Sequence, residues 1–160
     1  MATLSELVEN YLAGVQTLRD AVAGMTREQL LARPVPGKWS TLEVVCHLAD
    51  FEPILADRMK RVIAEDQPPL IGADEKCFAA ALAYHQRDAE EELALIDQTR
   101  RQMARVLRTL PDRALARVGV HNERGPLTLE KLLTTAINHI PHHVKFIDEK
   151  RQALAKAAGA

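Results

Sequence analysis

The chain has 160 residues, of which 47% are hydrophobic, and its 21 basic and 22 acidic residues give a formal net charge of −1. This length and hydrophobic content are typical of one globular domain, so we expect residues 1–160 to form a single domain with its own core. The balanced charge argues against a nucleic-acid-binding protein, the short apolar runs against a transmembrane helix, and the acidic N-terminal segment against a secretory signal. A cytoplasmic protein with no nucleic-acid or membrane partner is therefore expected.

The first half of the sequence predicts two long helices with a short one between them. Apolar residues recur at helical spacing over residues 4–23 and predict the first long helix. A capping box at residues 26–29 begins the short helix, and a second capping box at residues 40–43 begins the next long helix. This second long helix continues to about residue 65, and Pro53 within it is expected to cause a kink.

The second half of the sequence predicts two further long helices. A short helix is expected over residues 74–82 and a long one over residues 88–110. Residues 119–126 predict an irregular or short extended segment, and the last long helix covers residues 128–154 with Pro141 inside it. Strand signals are nearly absent. The sequence therefore predicts an all-α four-helix bundle with short extra helices in the connections.

Three histidines lie on the apolar faces of two predicted helices. His139 and His143 are four residues apart, so their imidazoles lie one turn apart on one face and can reach the same ion. His47 lies on the apolar face of the second long helix, whereas His142 falls outside the apolar stripe of its own helix. Three nitrogen ligands leave a coordination position for water or substrate, which is typical of a catalytic metal site. The alternative is a set of hydrogen-bonded core histidines.

Other polar residues near these histidines have less specific patterns. Asp50 and Glu43 lie one turn on either side of His47, and either carboxylate could accept a hydrogen bond from the second ring nitrogen of that histidine. Asp50 is the stronger candidate for this supporting role in catalysis, and the alternative is a solvated acid. His85 and His121 are expected to be solvent-exposed.

The two cysteines have no setting that indicates catalysis. Cys46 and Cys77 form neither a disulfide framework nor a CxxC motif, so we expect reduced thiols. Cys46 is adjacent to His47, but neighbouring helical residues point about 100° apart and do not normally share a ligand role.

The chain resembles the DinB-like superfamily of metal-dependent four-helix proteins, particularly its YfiT-like members. The resemblance extends over nearly the whole chain. It rests on an ordered set of segments, namely Gly37–Ser40, Glu43–Asp50 with Glu52 and Arg58, Glu65–Leu70, Val120–Gly125, and Asn138 and His139 followed by His143. It implies a divalent metal, zinc or nickel, held by His47, His139 and His143.

The resemblance also implies a choice of functions. Some relatives transfer low-molecular-weight thiols such as bacillithiol or mycothiol, so the first hypothesis is an S-transferase that activates the thiolate of a small thiol cosubstrate on the metal. The second hypothesis is a metal-dependent hydrolase that uses bound hydroxide, and the third is a non-catalytic, stress-associated metal-binding protein. The expected partner is a small-molecule substrate, and a homodimer is left open as the assembly.

Overall fold

The computed structural model describes residues 2–159 and shows four long helices that pack side by side. The helices are α1 (Leu4–Val22), α2 (Arg27–Leu31), α3 (Thr41–Ala64), α4 (Glu75–Ala81), α5 (Ala89–Leu107) and α6 (Leu129–Ala158). α1 packs on α5 and α6, and α3 packs on the same two helices. The predicted all-α four-helix bundle with short extra helices is confirmed. None of the helices in residues 2–159 combines the length and the apolar character that crossing a bilayer would require.

Both predicted capping boxes are present at the helix starts. In the box that begins α3, Ser40 Oγ accepts a hydrogen bond from the backbone N–H of Glu43 at 3.1 Å. A carboxylate oxygen of Glu43 in turn accepts from the backbone N–H of Ser40 at 2.7 Å. These two bonds satisfy backbone donors that a helix start leaves free, and they fix where α3 begins. His47 consequently lies in the second turn of that helix, on its buried side.

A small three-stranded sheet closes one end of the bundle. Its strands are β1 (Pro69–Leu70), β2 (Val118–His121) and β3 (Gly125–Thr128). β2 is the central strand and pairs in parallel with β1 and antiparallel with β3. Because each strand has only two to four residues, none is long enough to show a clear alternating pattern in the sequence. The sequence predicted almost no strands, so this sheet was not predicted. The sheet places the end of β2 beside the bundle.

One fully buried arginine joins the four long helices. Arg100 in α5 donates to Glu52 Oε2 in α3 at 2.9 Å. It also donates to two backbone carbonyl oxygens, that of Tyr11 in α1 at 2.6 Å and that of Ala136 in α6 at 2.8 Å. The hydroxyl of Tyr11 donates to the other carboxylate oxygen of Glu52 at 2.6 Å. Since Arg100, Glu52 and Tyr11 are all 0% exposed, this ion pair lies entirely within the core.

Gly14 in α1 leaves the space that the Arg100 side chain occupies. A Cβ at this position would lie 2.5 Å from Nη1 of Arg100. One hydrogen bond from Nη1 and two from Nη2 hold this guanidinium in place. Overpacking of this kind costs about 1–3 kcal/mol. We therefore expect Gly14→Ala to lower the free energy of unfolding in a urea titration, although alanine is intrinsically better in a helix by about 1 kcal/mol.

A double-mutant comparison isolates the cause of this effect. In an Arg100→Ala background the obstructing guanidinium is gone, so adding Gly14→Ala should be neutral or stabilising. If Gly14→Ala destabilises both backgrounds equally, the contact with Arg100 is not the reason.

Candidate metal centre

The three predicted histidines converge at one point between α3 and α6. Nε2 of His47 lies 3.1 Å from Nε2 of His139 and 3.1 Å from Nε2 of His143. The ligand atoms of the three rings all lie within 4.8 Å of one another. Three nitrogens bound to one zinc ion with bonds of 2.0–2.1 Å in tetrahedral geometry would be separated by about 3.3 Å. The two distances from His47 are close to that value and the third lies within 4.8 Å, so the donor set fits a single divalent metal ion.

The protonation of these rings also favours metal binding. Burial, together with the neighbouring imidazoles, lowers the pKa of His139 to about 3. The same two causes lower the pKa of His143 to about 3, and burial lowers the pKa of His47. All three rings are therefore neutral at physiological pH. Neutral imidazole is the form that binds metals, because its free lone pair is the donor.

Aromatic packing rather than hydrogen bonding orients His47. Its ring lies between Trp39 and Phe51, at centroid distances of 5.4 and 4.6 Å. Nδ1 of His47 and Nδ1 of His139 are buried and have no hydrogen-bond partner within residues 2–159. A metal-binding histidine usually donates its second N–H to a carboxylate or carbonyl, so this site differs from the common arrangement.

The structure does not form the predicted contact between Asp50 and His47. The two carboxylate oxygens of Asp50 accept hydrogen bonds from Arg87, at 3.0 and 2.8 Å. A bidentate guanidinium is a stronger partner for a carboxylate than a neutral imidazole, and Arg87 lies just before α5, where α3 packs. The expectation that Asp50 orients His47 is thus corrected. Glu43, the other candidate, accepts from Ser40 and from Arg33 instead.

His142 lies outside the cluster that its neighbour joins. Its side chain is exposed, and its ring packs edge-on against His143 and Phe146. The structure therefore places His143 in the cluster, as the helical periodicity predicted, and leaves His142 outside it.

Two residues near the cluster were not predicted as part of the site. Oε2 of Glu75, in the first turn of α4, lies 3.9 Å from Nε2 of His47, and about half of the Glu75 side chain is exposed. His121, which was expected to be exposed, is only 4% exposed because it ends β2, the central strand of the sheet. Its Nδ1 accepts from the backbone N–H of Glu123 at 3.2 Å, which assigns the ring proton to Nε2.

These residues border a cavity of about 350 Å³ that includes the metal centre. Its lining includes His47 and His139 together with apolar and charged side chains. The other charged or titratable residues of the lining are Arg58, Glu75, His121, Glu123 and Arg124. Such a volume lies at the lower end of the range for small-molecule sites. The arrangement can therefore admit a small polar substrate beside the three imidazoles.

Neither cysteine lines this cavity. Cys46 is buried and its thiol donates weakly to the backbone carbonyl oxygen of Tyr84 at 3.6 Å, and burial raises its pKa to about 12. Cys77 is exposed on α4, and its hydrogen bond with Asp74 and the charge of that carboxylate raise its pKa. Both thiols therefore stay protonated at neutral pH and are poor nucleophiles.

Comparisons with known proteins agree with this geometry. The sequence profile of the DinB superfamily matches residues 11–147. The chain is 32% identical over 133 residues to YfiT of Bacillus subtilis (strain 168), a protein proposed to be a metal-dependent hydrolase, with 82% of this chain and 75% of the relative covered. A relative from Oceanobacillus iheyensis, OB0782, has the same proposed activity and is 29% identical over 130 residues, which cover 81% of this chain and 75% of the relative.

A solved structure extends the likeness to three dimensions. The structure of YfiT from Bacillus subtilis, described as a probable metal-dependent hydrolase with an unusual four-helix bundle topology, superposes with a TM-score of 0.87 at 27% sequence identity. The superposition covers 95% of this chain and 87% of that structure. The sequence-based resemblance to DinB-like and YfiT-like proteins is thereby confirmed.

Proposed function

This chain belongs to the DinB superfamily, and from that membership we propose that it is a metal-dependent enzyme that hydrolyses a small molecule. The observation that carries the proposal is the convergence of three neutral imidazoles on a cavity large enough for a small substrate, with Nε2 of His47 3.1 Å from Nε2 of each of the other two. The proposed activity of the two bacterial relatives supports the same class of reaction.

His47, His139 and His143 would hold the metal, and we propose zinc or nickel because imidazole suits both ions. When bound by three protein ligands, such an ion keeps an open position and lowers the pKa of a water or thiol in that position toward neutrality. Phe51, which packs on His47 and lines the cavity, limits the access of bulk water to this side of the rings.

Glu75 is the carboxylate placed to move a proton. Hydrolysis requires a group that takes a proton from the attacking water and returns one to the leaving group. Oε2 of Glu75 lies 3.9 Å from Nε2 of His47. Within residues 2–159 the Glu75 carboxylate accepts no hydrogen bond and forms no ion pair with an arginine or lysine. Its half-exposed side chain is therefore free to approach a substrate, and we assign it the role of general base.

The second candidate function is an S-transferase that uses a low-molecular-weight thiol. The observation that favours it is the charged lining of the cavity, which contains both arginines and glutamates. Thiols such as glutathione also carry both positive and negative groups, so they could pair with such a lining. Because Cys46 and Cys77 both lie outside the cavity, the thiolate of such a reaction would come from the cosubstrate. Glu75 could then take the thiol proton.

The test of the main proposal is a panel of small esters and amides offered to the metal-loaded protein and to the metal-free protein. We expect hydrolysis by the loaded form alone. Glu75→Gln should lower kcat by about 10²- to 10⁴-fold, the usual contribution of a general base, while elemental analysis shows unchanged metal content. The exposed Glu91 on α5 provides a matched control, since Glu91→Gln should leave both quantities unchanged.

The thiol reaction is tested in parallel with a reactive electrophile and four thiols, namely glutathione, bacillithiol, mycothiol and coenzyme A. If one of them is consumed faster with metal than without, and no ester or amide is, the transferase replaces the hydrolase. That activity should survive in Cys46→Ala and Cys77→Ala, because neither thiol reaches the site. If neither panel shows a metal-dependent rate, the protein binds metal without catalysis.

A further inference from the structure

Two arginines that line the cavity have no carboxylate partner. Arg58 lies on α3, three turns after His47, and Arg124 lies in the turn between β2 and β3. Neither forms an ion pair with a carboxylate within residues 2–159, whereas Arg61, one turn beyond Arg58, pairs with Asp57 at 2.7 Å. The cavity therefore presents two guanidinium groups that form no ion pair with a carboxylate of the described residues.

The Arg58 side chain is only partly used by the fold. One of its nitrogens, Nη2, donates to the backbone carbonyl oxygen of Ile71 at 2.5 Å and so fixes the direction of the side chain. Nε is buried and has no hydrogen-bond partner in the described part of the chain. A buried N–H of a charged group without an acceptor costs free energy, unless a ligand supplies the acceptor.

Electrostatics show that Arg58 and Arg124 repel each other and act on the same histidine. Burial and the like charge of Arg124 lower the pKa of Arg58. Burial and the charges of these two arginines likewise lower the pKa of His121. Glu123 and Asp57 act in the opposite direction on the pKa of Arg58, but neither carboxylate forms an ion pair with it: Glu123 lies against Gly72, where a Cβ would be 2.7 Å from its Oε1, and Asp57 pairs with Arg61.

We propose that Arg58 and Arg124 bind an oxyanion group of the substrate, a carboxylate or a phosphate, with the Nε2–H of His121 as a further donor. This inference rests on the proposed function and specifies its substrate class: small anionic molecules that fit the one cavity shared by the arginines and the histidines. A guanidinium offers planar, paired N–H donors that match the oxygens of a carboxylate or phosphate. Since the same cavity contains His47 and His139, an anion held by Arg58 places the adjoining part of the molecule at the metal centre.

The test is a calorimetric titration of the zinc-loaded full chain with succinate, inorganic phosphate and neutral succinamide, because binding can be measured without turnover. We expect succinate or phosphate to bind and succinamide not to bind. The comparison of the two anions shows which oxyanion the site takes. Arg58→Gln and Arg124→Gln should each weaken that binding by roughly 10- to 100-fold, as expected for a charged hydrogen bond. The zinc content of both variants should equal that of the native chain.

Arg61→Gln is the matched control, because it removes the same charge from the same helix outside the cavity and should leave anion affinity unchanged. Arg124 is exposed, so Arg124→Gln remains informative even if Arg58→Gln disturbs the contact with Ile71. Equal affinity of the native chain for succinate and succinamide would overturn the inference, as would unchanged binding in both cavity variants or an equal loss in Arg61→Gln. Anion binding without any hydrolysis would instead sustain this inference and reject the proposed reaction.

Discussion

Replacing His139 by alanine is expected to abolish metal binding by the protein. His139 supplies one of the three nitrogens that cluster at the site within residues 2–159. The two that remain, on separate helices, cannot by themselves hold a divalent ion tightly. Loss of a supporting hydrogen bond alone typically weakens metal affinity 10- to 100-fold, so loss of a ligand should cost at least about 100-fold. Elemental analysis after dialysis should show about one metal ion per chain in the native protein and almost none in His139→Ala.

The same variant should separate metal binding from folding. His139 is only partly buried, so its removal should leave the metal-free protein folded, with the helical circular dichroism of the native chain. Added zinc stabilises a protein that binds it in the folded state alone, so zinc should raise the Tm of the native chain and not that of His139→Ala. Any metal-dependent reaction should disappear with the metal.

His142→Ala is the matched control, because His142 is a histidine of the same helix whose exposed ring lies outside the cluster. Full metal content is expected in this control and loss of metal in His143→Ala. The reverse result would show that the assignment of the third ligand to His143 is wrong.

The sequence was sufficient to predict the bundle and the clustered histidines because both depend on helical periodicity. Long amphipathic helices place residues at intervals of three and four on one face, so the inward positions of His47, His139 and His143 could be deduced before their contacts were known. The capping boxes at Thr26 and Ser40 were equally local, since each involves residues only three positions apart. Such signals do not depend on how the helices pack.

The rest of the site depends on contacts between segments that are distant in the sequence. Glu75 approaches His47 only because α4 folds back over α3, and nothing in the local pattern of α4 indicates this. His121 is buried by pairing of strands that are too short to show a period. The expectation for Asp50 was wrong because Arg87, 37 positions away, is a better partner for its carboxylate than the neighbouring imidazole.

The buried Arg100 connects the stability of the bundle to the placement of α6. Its acceptor on that helix, the carbonyl oxygen of Ala136, lies one turn before His139 and Ile140. Two fully buried charges are costly to remove from water, and they are tolerated here because Arg100, Glu52 and Tyr11 form hydrogen bonds with one another. Loss of Arg100 would leave the Glu52 carboxylate in the core without a counter-charge.

Arg100→Ala is consequently expected to cause the largest loss of stability of any substitution considered for this chain. It would leave the Glu52 carboxylate buried without its counter-charge, and breaking a buried pair in this way costs about 3–5 kcal/mol. A domain of this size is stable by about 5–15 kcal/mol, so a third or more of the total is at stake. Urea titration of the metal-free protein measures the loss without the contribution of bound metal.

Arg101→Ala is the matched control, because it removes the exposed ion-pair partner of Asp97 at the next position in the sequence. It should change the free energy of unfolding by less than about 0.5 kcal/mol. Similar effects of the two substitutions would show that the buried network contributes no more than a surface ion pair.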